Sequence, residues 1–295
     1  MPFAGEGEFF SPDSVLSHCK GALLPMFGTK EAALLRLLCR EFKEAVAEIP
    51  WEDNRRVILG SVAGWRACFP IARTANVSVY DHYNKSGRRT QVTDADFVHF
   101  VGLKRLNMSR CMRITDAGFV HLKGIHTLDM IDCHQPTITD AAFTHLKGIH
   151  TLNMWGCYQS TITNAAFSHL KGVHTLHMSL CTQPTITDAA FSHLKGIHTL
   201  DMSYCTQPTI TDAAFSHLKG IKYFSMHHCT QPTITRAAFE HLKGVRLGDL
   251  SGCTLAMIAG AEEAGVISKE RAERDKRGAS DYVPPVVLGV LNNDY

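Results

Sequence analysis

Residues 92–253 repeat one unit of about 24 residues seven times, and that property alone restricts the chain to a stacked architecture. The cleanest copy, residues 186–209, reads ITDAAFSHLKGIHTLDMSYCTQPT. Copies open at Val92, Ile114, Ile138, Ile162, Ile186, Ile210 and Ile234, spaced by 22 residues and then by 24 five times. A unit this short cannot bury its own apolar face, so it gains a core only by lying on its neighbours.

Within residues 197–205 the apolar side chains Ile197, Leu200, Met202 and Cys205 stand at positions 1, 4, 6 and 9. The Leu-x-Met pair predicts a strand with alternate residues pointing inward. Residues 206–209, with Pro208, turn a corner, and residues 210–218 predict a short helix capped by Thr211. Asp212 suits the positive end of that helix, Ala214, Phe215 and Leu218 face inward, and Gly220 supplies the left-handed stop. The expected fold is an α/β solenoid bent like a horseshoe. Parallel strands line a concave face about 30 Å long, and short helices cover the convex side.

This order of strand, corner and helix resembles the leucine-rich repeat. The run from Ile197 through Leu200, Met202 and Cys205 to Ile210-Thr211-Asp212 is similar to the cysteine-containing subfamily, and the resemblance covers all seven units. A second resemblance lies upstream. Residues 12–51 form two amphipathic segments, one carrying Val15, Leu16, Cys19, Leu23, Leu24 and Phe27. The other, after Gly28-Thr29, carries Leu34, Leu35, Leu37, Leu38, Phe42, Ala45 and Val46. Together they resemble an F-box, the helical module that docks onto the adaptor subunit of cullin-type ubiquitin ligases. Val15-Leu16 stands at its start, Leu23-Leu24 at its Ile-Phe pair, residues 38–42 at its Val-Cys segment and Trp51 at its closing aromatic. The sequence departs from the pattern in lacking the leading Pro and in placing Gly21 inside the first helix.

The resemblance implies a substrate receptor in which Leu16, Leu23, Leu24, Phe27, Leu35, Leu38 and Phe42 touch the adaptor. A target protein would then be held by the repeats. The alternative is a scaffold whose N-terminal helices only cap the solenoid. The expected organisation is an arm over residues 1–11, the F-box-like module over 12–53 and an irregular first repeat and loop over 54–91. Seven repeats follow over 92–255, with a capping helix and tail over 256–295. In the irregular repeat a helix is expected over 62–69 and a strand over 75–80. Residues 254–277 are expected as one helix whose first half closes the stack and whose second half is solvated.

The target-binding residues are expected on the strand side, because the helix side is copied almost verbatim while strand-side positions vary. Trp155, His177, Leu180, Tyr204, Tyr223, His227 and His228 make an aromatic and imidazole stripe suited to a protein partner.

Composition narrows the function further. A net charge of +2 carries no electrostatic footprint for nucleic acid. No apolar run reaches the roughly 18–20 residues that span a bilayer, and the first residues carry no secretion signal. Seven of the ten cysteines recur once per unit, from Cys111 to Cys253, and are expected as buried, free, apolar fillers. That suits a reducing compartment, cytoplasm or nucleus. The seventeen histidines are mostly repeat positions and gather no metal-ligand set. Neither a nucleophile elbow nor a phosphate or dinucleotide loop is present. The chain is therefore expected to need no cofactor, to catalyse nothing itself and to be a monomer outside its complex.

Overall fold

The computed structural model describes residues 32, 36, 40–52, 58, 61–79, 92–248 and 250–277. Its strands are β1 Thr74–Asn76, β2 Arg105–Asn107, β3 Thr127–Asp129, β4 Thr151–Asn153, β5 Thr175–His177, β6 Thr199–Asp201, β7 Tyr223–Ser225 and β8 Arg246–Leu247. They form one parallel sheet in sequence order. Ala75 pairs with Leu106, Leu106 with Leu128, and so on in unbroken register to Leu247. Each unit therefore advances the chain by one rung, and the molecule is an α/β leucine-rich-repeat solenoid. The regular ladder is shorter than the Leu-x-Met pair, since it ends before the methionine. Met130, Met154, Met178 and Met202 are nonetheless wholly buried.

Two helices, α1 Arg40–Ala47 and α2 Val62–Cys68, precede the regular units. The convex side carries α3 Asp116–Phe119, α4 Asp140–Phe143, α5 Asn164–Phe167, α6 Asp188–Phe191, α7 Asp212–Phe215 and α8 Arg236–Glu240. Each of α3 to α7 tightens at once into a 3-10 turn ending on a buried leucine, Leu122 to Leu218. One helical turn suffices because its only tasks are to bury one Ala and one Phe, as Ala190 and Phe191 do, and to return the chain to the sheet. The glycine that follows takes φ +80° to +86° in these five units, a conformation only glycine adopts freely.

Polar bonds between rungs add to the apolar core in holding the stack. Thr139 caps α4, its hydroxyl accepting from the Ala141 N–H at 3.1 Å. The Thr139 N–H and hydroxyl in turn donate to the Asp116 carboxylate of the preceding unit at 2.8 and 2.7 Å. The same pair recurs from Asp94 with Thr115 to Asp212 with Thr235, with Asn164 replacing the acid once. The aspartate that suits a helix dipole is thus chiefly a clamp on the next unit. The ladder cysteines are likewise more than filler. Each thiol donates to a backbone carbonyl of an earlier unit, Cys181 to Met154 and Cys205 to Met178 at 3.2 Å. Burial pushes Cys133 and Cys205 up to about 12, so these thiols stay protonated donors. Buried Gln183 and Gln207 donate from their amides to Cys157 and Cys181 carbonyls, tying the corners.

At the N-terminal end Trp51 is buried, meets Phe69 edge-on at 5.9 Å and donates its indole N–H to the Val46 carbonyl. Ala45 and Val46 of α1 join this small cluster. The helix expected over 62–69 is α2. The strand expected over 75–80 is only β1, which starts one residue earlier. At the other end residues 254–277 form two helices, α9 Leu255–Glu263 and α10 Lys269–Lys276, broken at Gly265 with φ +72°. The second is not merely solvated. Its Arg271 donates to the carbonyls of Leu247 and Gly248, and its carboxylate partner Asp275 is buried. The last strand's open edge is thereby closed by a guanidinium.

Candidate functional site: the concave face

The variable positions of the units converge on the strand side. Outer strand residues such as Thr175 and His177 stay half-exposed while the middle leucines are buried. Beyond each strand the chain leaves the sheet through a tight turn at the eighth position, and there the backbone is left-handed in every unit. The φ values are +60° at Arg110, +54° at Asp132, +71° at Gly156, +59° at Leu180, +59° at Tyr204, +54° at His228 and +73° at Gly252. A side chain at such a φ costs about 1–2 kcal/mol relative to glycine. Two units accept glycine, and both glycines lie beneath a neighbour. A Cβ at Gly156 would collide with the Asp132 carboxylate, and one at Gly252 with the His228 imidazole. The other five units carry side chains at a conformation that disfavours them.

Three of the expected residues come together. Tyr204 stacks on His228 at 4.6 Å and meets His227 edge-on at 5.4 Å, while the two imidazoles lie perpendicular at 4.2 Å. The Ser251 hydroxyl holds His227 Nδ1 at 2.9 Å, which fixes the cluster on its far side. Tyr204 remains exposed. His177 stands one rung away, 4.0 Å from the Asp201 carboxylate. Burial opposes ionisation of Asp201, but hydrogen bonds from His177 and Ser203 prevail and hold its carboxyl at about 2. Asp129 differs, since burial raises its pKa against the opposing help of Asn153 and His177. Trp155 is exposed on β4's rung, away from the tyrosine cluster, and Leu180 and Tyr223 are half-buried.

Sequence reasoning overlooked the polar parts of this face. Arg110 is held by Asp132 at 2.8 Å, and Ser203 donates to Asp201 from both its amide and hydroxyl. An Asx or Ser two residues after another Asx at a strand end was the available signal. Of the residues expected to touch an adaptor, Leu16, Leu23, Leu24, Phe27, Leu35 and Leu38 lie outside the described residues, and Phe42 stands on α1. Groups of three or more metal-ligating side chains are absent among the described residues. No described helix is long and apolar enough to cross a membrane.

No protein-family profile matches the chain, and no curated protein matches it by sequence. Among solved structures, the TLR13–ssRNA13 complex aligns at TM-score 0.49 with 17% identity over 63% of this chain and 26% of that one. Human 5T4, a trophoblast glycoprotein, aligns at 0.49 with 15% identity over 68% of this chain and 79% of that one. The yeast Rad7 and Elc1 complex aligns at 0.40 with 16% identity over 53% and 44%. The chain thus spans about a quarter and under half of the lengths of the chains matched in the TLR13–ssRNA13 and Rad7–Elc1 complexes. The repeat, its parallel ladder and its capped single-turn helices carry the fold assignment.

Proposed function

We propose that the chain is a protein-recognition solenoid whose concave face binds a target protein. One observation carries the reading: side chains other than glycine occupy the strained eighth position in five units. Leu180 gains little there from the fold, because Gly156 and Gly252 serve the same turn. Strain accepted without a folding benefit is a mark of function. Around it Trp155, His177, Tyr204, Tyr223, His227 and His228 supply the aromatic and imidazole anchors that dominate protein interfaces. The face holds hydrogen-bonded, ordered side chains, which lowers the entropy cost of binding.

The finer proposal is that of a non-catalytic substrate receptor of a cullin-type ubiquitin ligase, joined to the adaptor through residues 12–53. It is supported by the F-box resemblance of Leu16, Leu23, Leu24, Phe27, Leu35, Leu38 and Phe42. Catalysis would come from other subunits, and this chain would supply proximity. A second reading is favoured by the burial of Ala45, Val46 and Trp51 against the helix that opens the stack: the N-terminal helices would be a cap. A pull-down of the full chain with purified adaptor separates the two. The receptor reading expects binding that a folded Leu24→Asp, Phe27→Asp variant loses. Failure of the folded wild type to bind would leave the cap.

A further inference from the structure

The rim where each helix returns to the sheet carries a charge pattern that the concave face does not use. His126, His150, His174 and His198 stand one per rung just before their strands. Their rings are stacked with centroids 4.6, 4.5 and 4.3 Å apart and planes within 15°. Each ring's Nδ1 lies 3.2–3.4 Å from the hydroxyl of the threonine that follows, which fixes the rings edge-out. The column continues in the same backbone register into Lys104 on one side and Lys222 on the other. Arg73 extends it by one rung at the N-terminal end. Three residues before the four histidines and Lys222 runs a second column, Lys123, Lys147, Lys171, Lys195 and Lys219, continued by Lys243, every one exposed.

We propose that this rim is a binding site for an extended acidic polypeptide segment, one that tightens as the histidines protonate. The rungs recur at about 4.8 Å, within reach of successive carboxylates on a strand that rises about 3.4 Å per residue. Fixed ammonium and guanidinium groups supply a constant attraction, and the imidazoles supply an adjustable part. Single-stranded nucleic acid is the poorer fit, because the imidazole faces are stacked on one another and the inner ones leave no room for a base.

The groups that face the imidazoles account for the pH response. Lys104 and Lys222 bound the column, the exposed lysines stand on the preceding turns, and Thr127, Thr151, Thr175 and Thr199 are neutral. No carboxylate contacts the four rings among the described residues. Partial desolvation, and then the neighbouring His126 and His174, lower the His150 pKa. His150, in the middle of the stack, therefore resists protonation. An acidic segment laid along the rim cancels that repulsion, so binding takes up protons and strengthens as pH falls.

The rim adjoins the concave face through Thr151, Thr175 and Thr199 but uses none of the residues expected to bind the target, so its test is separate. Fluorescence anisotropy of a labelled polyaspartate peptide about twelve residues long, titrated with the full chain at low salt, measures it at pH 7.5 and 5.5. Affinity is expected to rise about tenfold at the lower pH and to fall with added salt. A variant with His126, His150, His174 and His198 all changed to Gln keeps hydrogen-bonding side chains and should bind alike at both pH values. A Lys147→Ser, Lys171→Ser, Lys195→Ser variant should weaken binding at both. Thermal melts confirm that each variant is folded. Absence of binding to the wild type, an unchanged pH response in the histidine variant, or tighter binding of single-stranded DNA of equal charge would each overturn the proposal.

Discussion

At the scale of single residues, the eighth position of each unit separates folding from display. Replacing Leu180 by Gly relieves a left-handed φ, and stability is expected to hold or rise by up to about 1 kcal/mol. Target affinity should fall in the same variant, a combination that simple damage does not produce. Urea unfolding beside a binding titration reads both. Asp201 makes a second prediction through pH. Its folded pKa is depressed, so the stability it adds is complete above the ordinary carboxylate pKa near 4. That stability is lost as pH falls through about 2. After solvent screening it amounts to about 1 kcal/mol. Asp201→Asn should flatten the acid limb of the stability profile between those limits and lower the plateau above about pH 5 by about that amount without changing its slope.

At the scale of elements, the unit holds through bonds that cross from one copy to the next. Asp140→Ala removes two acceptors from Thr163 at 2.7 Å each and strands the threonine N–H at the start of α5. The expected cost is about 2 kcal/mol by chemical denaturation. In a stack with nearest-neighbour coupling, that loss should also weaken cooperativity across the junction of the two units. Strand, corner, helix and stop were legible in the sequence because each has a local cause: alternation, Pro208, Thr211 and Gly220. The Asp and Cys bonds were not, since an acid near a helix start and a buried thiol each have a sufficient local explanation. Their partners lie more than twenty residues away. The left-handed eighth position was hidden for a different reason, as Arg, Asp, Leu, Tyr and His give no glycine signal.

For the whole molecule, the ends decide whether the stack survives. Arg271 closes the last strand and neutralises buried Asp275. Arg271→Ala should therefore remove the donor to the Leu247 and Gly248 carbonyls and leave Asp275 with Arg274 alone, at a cost of about 1–2 kcal/mol, with hydrogen exchange accelerating first in β8. The sequence located the cap at this end but not its break at Gly265, because the alternating charges of 269–277 read as a solvated face. The concave stripe was legible as a set of varying positions among constant ones. Its division into a Tyr204–His227–His228 cluster and a separate Trp155 depended on which rings meet between adjacent rungs. The central claim is that this face, and not the convex one, meets a protein target. Photo-crosslinking residues placed at Trp155 and Tyr204, and for comparison at exposed Ala165 and Ala213 on α5 and α7, test it in cells. The account predicts discrete protein adducts from the two concave positions alone. Equal adducts from the convex positions, or none from the concave ones, would contradict it.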